Sequence, residues 1–241
     1  LPLTKIPSNC YKYMFKDCTS LLNSPNLMKL DSLTTGVYAG MFENCKSLKA
    51  TPTIDIETIL NPFSSICEAM FRGCTSIKSA ANVTLNATAP LAYMDMFLGC
   101  TSLKIGANIT ATSLAMNACR NMYNGCSNLS YIKMLALSVR TDSNAGHLAD
   151  WVTGVAPTGT FVKHKDATWD ITGNSGVPEG WEVIYEDDEG NQTSATMVSG
   201  YITTNGASTY SLRRSVSNPT ISNVNVGIYG TTMTTTTDEN G

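Results

Sequence analysis

Apolar residues in the first half of the chain return at fixed intervals. The segments CYKYMFKDCTSL (10–21), VYAGMFENCKSL (37–48), ICEAMFRGCTSI (66–77), AYMDMFLGCTSL (92–103) and ACRNMYNGCSNL (118–129) align without a gap. Cys18, Cys45, Cys74, Cys100 and Cys126 follow one another at steps of 27, 29, 26 and 26, and Met14, Met41, Met70, Met96 and Met122 keep those steps. Within a unit the apolar positions fall three to four residues apart, as in Leu114, Ala118 and Met122, or Phe63, Ile66 or Cys67, and Met70. That spacing predicts a short helix laid against a core. Asp17, Asn44, Gly73, Gly99 and Gly125 precede the column Cys and best tolerate a left-handed backbone, as where a helix ends. Leu21, Leu48, Ile77, Leu103 and Leu129 follow it, and six residues later come Leu27, Ile54, Val83, Ile109 and Leu135. An even separation puts both sets on one face of an extended segment. The expected fold is therefore α/β: a leucine-rich-repeat solenoid with a parallel sheet on one face and short helices on the other, followed by a small β-rich tail.

The series fades rather than stopping. His147–Val155 fits a degraded sixth unit in which Trp151 stands 29 residues after Met122, Gly154 takes the left-handed position and Val155 replaces the Cys. Gly159–Lys163 reads as a final strand, and Trp169 with 176–181 as a cover for the open end. The expected divisions are five repeats over 1–143, a sixth unit and Trp-bearing cap over 144–185, an acidic linker at 186–190, and a Thr/Ser-rich β tail or the start of a further domain at 191–241. In the tail, Asn205-Gly206 is a hairpin signal, and Val224, Val226 and Ile228 alternate as in a half-buried strand. The chain opens in mid-repeat, as a piece of a longer polypeptide would.

The unit Cys10-Tyr11-x-x-Met14-Phe15-x-x-Cys18-Thr19-Ser20-Leu21 resembles the BspA-type leucine-rich repeats of surface proteins from Bacteroides-like bacteria. The stretch from Trp151-Val152-x-Gly154-Val155 through Thr158–Lys163 to Gly173–Val177-Pro178-x-Gly180-Trp181 is similar to the tail that follows such repeats. The resemblance covers about residues 1–185. It implies extracellular display on a cell surface, adhesion, and a protein or glycan ligand, with no catalytic residues to carry over. Similar modules occur in gut phages, which implies the alternative of a virion component such as a fibre or decoration protein. Size measurement with and without 186–241 separates the two, because a fibre requires a homo-oligomer assembled through 191–241.

Charge and chemistry narrow the function further. Only 15% of residues are charged and the net charge is −3, so a basic stripe for nucleic acid is lacking. No apolar run is long enough for a membrane span. The pairs Cys67/Cys74 and Cys119/Cys126 lack the spacing of structural zinc sites, and Cys10 aligns with Val37, Ile66, Ala92 and Ala118, so neither a metal nor another cofactor is expected. Stacked coils bring the five column Cys near bridging range, but an odd-membered apolar column reads better as buried free thiols. Glu186–Asn191 carries carboxylates without the spacing of a calcium loop and reads as solvated. His147 and His164 are the only histidines, and no nucleophile signature accompanies either, so an enzyme is not expected.

One surface stands out. Lys49, Lys78 and Lys104 follow the column Leu or Ile by one residue, and Thr53, Asn82 and Asn108 follow it by five. Strand alternation points both sets away from the core, as a lysine row beside an Asn/Thr row. A solvated face that resists aggregation is the simpler reading. An acidic or sugar-bearing ligand is the alternative, and these six residues are the candidate ligand-binding set.

Overall fold

The computed structural model describes residues 7–25, 27, 34–55, 64–86, 89–140 and 146–194. The chain divides into two compact units, Leu1–Ala195 and Thr196–Gly241. The second lies outside the described residues, and with it the expected hairpin at Asn205-Gly206, the Val224–Ile228 strand and any assembly surface there.

The first unit is a solenoid of parallel strands. Its strands are β1 (Ile54–Asp55), β2 (Val83–Leu85), β3 (Ile105–Ile109), β4 (Tyr131–Met134), β5 (Thr160–His164), β6 (Glu182–Glu186) and β7 (Gln192–Ser194). They form one sheet in chain order, parallel from β1 through β6, with β7 antiparallel to β6. The acidic stretch at 186–190 is the connection between the last two strands, where Asp187 accepts from the Glu189 and Asn191 backbone amides. Alternation sets the faces: Val83 and Leu85 are buried while Thr84 between them is only half-buried.

Opposite the sheet, the expected short helices are absent among the described residues. Each coil instead runs through successive four-residue turns. Backbone φ is positive at every fourth residue: Gly36, Gly40 and Asn44, then Ser65, Ala69 and Gly73, then Leu91, Asp95 and Gly99, then Asn117, Asn121 and Gly125. A left-handed residue at that interval prevents the continuous i to i−4 bonding of a helix. Alternate amides therefore divide their bonds. Val37, Ala39, Met41, Glu43 and Cys45 donate to carbonyls three residues back in their own coil. Gly36, Tyr38, Gly40, Phe42 and Asn44 donate forward, to Ser64, Ile66, Glu68, Met70 and Arg72 of the next coil. A helix would satisfy its amides internally; this ribbon couples each coil to its neighbour.

The turns bury residues in pairs four apart. Val37 with Tyr38, then Met41 with Phe42, then Cys45 and Leu48 are buried, and the same positions are buried in the next three units. Phe15, Phe42, Phe71, Phe97 and Tyr123 stack in one file, with ring centroids 5.4, 5.6, 5.4 and 5.7 Å apart. Each such pair contributes about 0.5–1.5 kcal/mol beyond the area it buries. Trp151 sits at the Met position of its unit, since Tyr123 N–H donates to its carbonyl as Phe97 N–H donates to Met122. Its ring nevertheless reaches across to continue the aromatic file, 5.8 Å from Tyr123.

Column cysteines have a polar task as well as an apolar one. The thiols of Cys45, Cys74, Cys100 and Cys126 each point at the carbonyl of Phe15, Phe42, Phe71 and Phe97 of the preceding coil, at 3.0 Å. All eight cysteines are free; Cys10 and Cys18 are exposed and the other six buried. The burial expected of the whole column thus holds for Cys45 onward and not for Cys18.

Between β3 and β4 the register shifts. Ile105 pairs with Tyr131 but Asn108 with Lys133, so β3 carries one extra residue. Gly106 lies in this bulge, where an added Cβ would meet the Tyr123 hydroxyl at 2.9 Å, and that hydroxyl accepts from Ala107 N–H. The bulge corrects the repeat alignment in the fifth unit. Met134 is fully buried beside Ile109, and Leu135, expected inside, is half-buried.

Beyond the sixth coil the chain folds back on itself through three tryptophans. The Trp151, Trp169 and Trp181 indole N–H groups donate to Gly176, Ala136 and Ala156 carbonyls. Forward-facing amides of the sixth coil find substitute acceptors: Val152 donates to the Asn174 carbonyl and Asp150 to the Ser175 hydroxyl.

Candidate functional site

Of the six candidate residues only Asn108 lies in a named strand; Lys49 and Thr53, Lys78 and Asn82, and Lys104 stand in the segments that lead into β1, β2 and β3, so the strand alternation expected to point all six outward applies to Asn108 alone. Lys49, Lys78 and Lys104 are exposed, and Lys104 N–H donates to the Lys78 carbonyl, which fixes those two on adjacent coils. Neighbouring strands in a sheet lie about 4.8 Å apart, so the ammonium groups repel one another unless they splay into solvent. None of the three forms an ion pair among the described residues. Thr53 is exposed as well.

The asparagines are committed to the fold. Asn82 Nδ2 donates to the Thr51 carbonyl at 3.0 Å, and Thr51 Oγ1 donates to Asn82 Oδ1 at 2.6 Å. Asn108 Nδ2 donates to the Ala81 carbonyl at 2.8 Å. Their amides tie one coil to the one before it, which leaves the three lysines and Thr53 as the candidates without a side-chain partner among the described residues. The row ends in the fifth unit, where Ser130 takes the equivalent position and donates to Lys104 through its backbone.

A second polar region lies at the other end of the sheet. Glu186 is buried, pairs with Lys133 and accepts from Gln192 Nε2 at 2.7 Å. His164 Nδ1 accepts from Asp166 N–H at 3.1 Å, which leaves the ring proton on Nε2, directed at Asp188 Oδ1 at 3.1 Å. No hydroxyl or thiol is hydrogen-bonded to that imidazole among the described residues, so a His–carboxylate pair is present without a nucleophile beside it. His147 lies elsewhere, buried, with Nδ1 accepting from Arg140 N–H. Among the described residues, no group of three His, Cys, Asp or Glu side chains could hold a metal ion.

Lys163 is the residue the sequence-based site set omits. It occupies an inward position of β5, between Met134 on β4 and Tyr185 on β6, and only 4% of it is exposed. Its ammonium donates to the Trp169 carbonyl and stands 4.5 Å from the Trp169 ring centroid. Burial holds it below the usual lysine range, with nearby Asp170 opposing in part. A signal for this was in the chain: Phe161 and Lys163 are two apart in a predicted strand, and so share a face.

Comparison with protein families, with characterised proteins and with solved structures finds no match.

Proposed function

We propose that this chain is an extracellular, non-enzymatic binding module whose sheet face meets an acidic protein or glycan ligand at a bacterial surface. The observation that carries the reading is the row of Lys49, Lys78 and Lys104, exposed at one repeat position and without a carboxylate partner among the described residues. Like charges in a row cost stability with no return in an isolated molecule, and an anionic ligand reverses that sign. The resemblance of the units to BspA-type repeats supports the same reading. Solenoids present broad surfaces of this kind to partners.

The test is an array of acidic and neutral glycans probed with wild type and with Lys49→Ala/Lys78→Ala/Lys104→Ala. The triple variant should lose binding to acidic glycans, and binding by wild type should weaken steeply as salt is raised. Its melting temperature should stay close to wild type, since exposed substitutions change stability by only about 0.5 kcal/mol or less each. Unchanged acidic-glycan binding removes this face from the function.

A further inference from the structure

The last strands of the sheet outrun the coils. β6 and β7 extend it past the sixth unit, and their inner side meets the 165–170 loop instead of another coil. Between loop and sheet lies a groove of about 470 Å³, lined by Lys163, Lys165, Thr168, Trp169, Tyr185 and Thr193, with Asp170 at its edge. That volume is within the range of small-molecule sites.

Lys163 makes this groove unlike a packing defect. Leu85, Ile109, Met134, Lys163 and Tyr185 follow one another across the sheet at one inward position. The position is apolar until Lys163, where an ammonium is buried at considerable cost. One of its three N–H groups donates to the Trp169 carbonyl, and no carboxylate comes within ion-pair distance of it among the described residues. A buried cation that faces a groove, with Asp170 near it but not in ion-pair contact, is a receptor for an anion.

We infer that the groove binds a monocarboxylate of sugar size, such as an acidic sugar, with the carboxylate on Lys163 and the hydroxyls among Thr168, Thr193 and Tyr185. The rim selects for a single charge. Lys165 is paired with Asp166 at 3.2 Å, and Asp170 adds a negative charge, so a doubly charged anion meets repulsion that a carboxylate largely escapes. The inference is independent of the row of Lys49, Lys78 and Lys104.

Sodium glucuronate, glucose and inorganic phosphate are the probes, with tryptophan fluorescence and thermal shift as readouts. Wild type should respond saturably to glucuronate and not to glucose, with phosphate weaker. Lys163→Met should bind glucuronate roughly tenfold or more weakly, the loss expected for one charge-assisted hydrogen bond. The same variant should melt at or above the wild-type temperature, because Met134 already fills this position one strand earlier. Lys163→Gln keeps a donor for Trp169 without the charge, and reads the same loss if the Met variant fails to fold. Equal glucuronate binding by variant and wild type overturns the inference, as does the absence of saturable binding by wild type. Tighter binding of phosphate than of glucuronate overturns the assignment to a monocarboxylate.

Discussion

Ala69 has a backbone φ of 53°, a conformation that costs an L residue with a side chain about 1 kcal/mol or more. Its role separates the two architectures that the repeat pattern allows. In a helix, Ala69→Gly would cost about 1 kcal/mol. In a run of turns the same substitution relieves a left-handed strain, and it should stabilise the protein by about 0.5–1 kcal/mol in urea denaturation. The buried thiols make a second prediction at this scale. Burial pushes Cys67, Cys119 and Cys126 up to about 12 and Cys45 to about 11, from an ordinary value of 9.0, and raises Cys74 and Cys100 in the same direction. Below pH 9 both folded and unfolded thiols are protonated, and their contribution to stability is complete. Between pH 9 and about 11 to 12 the unfolded chain gives up protons that the folded one keeps, so stability falls by up to about 1.4 kcal/mol per pH unit for each such thiol. Urea midpoints should be flat to pH 8 and decline steadily above 9. Midpoints constant to pH 10.5 would mean these sulfurs sit in water.

At the scale of one coil, the sequence was informative about which residues are inside and misleading about the backbone that puts them there. The columns of Met, Cys and Leu are buried from the second coil onward. The left-handed positions before the column Cys are left-handed. What failed was the reading of a spacing near four as a helical face. Leu114, Ala118 and Met122 are separated by four and four, which suits an i, i+4 helix row and a succession of four-residue turns equally well. Only the other two left-handed positions distinguish the two, and there the chain uses Gly36, Gly40, Asp95, Asn117 and Asn121 beside Ser65, Ala69 and Leu91. Three of those eight positions hide the signal, because Ser65, Ala69 and Leu91 take the left-handed conformation under strain. The Asn row was legible as a row but not as a tie between coils, because alternation tells where a side chain points and not what carbonyl it meets. Lys163 was missed for a related reason: a charged residue reads as surface until the face it shares with Phe161 is taken seriously.

For the whole molecule, stacking makes stability a sum over neighbours rather than the property of one core. Phe97 has Phe71 on one side and Tyr123 on the other. Phe97→Ala should therefore cost about 3–5 kcal/mol and weaken two interfaces together. Denaturation should also broaden, with a smaller m-value than wild type, as the coils on either side begin to unfold separately. A sharp transition with an unchanged m-value would indicate a single cooperative core. The lysine row belongs to the second to fourth units and the Lys163 groove to β5 through β7, so glucuronate should leave acidic-glycan recognition by the row unaffected.

The forward direction of the turn-side amides gives the solenoid a polarity. In the first described coil Asn9, Tyr11, Tyr13, Phe15 and Asp17 all donate to the second, while the carbonyls of Cys10, Lys12, Met14 and Lys16 face the other way and meet no donor among the described residues. Every coil of the turn side thus meets its successor with amides and its predecessor with carbonyls, so neighbouring coils can share this bonding only when they run in the same chain direction.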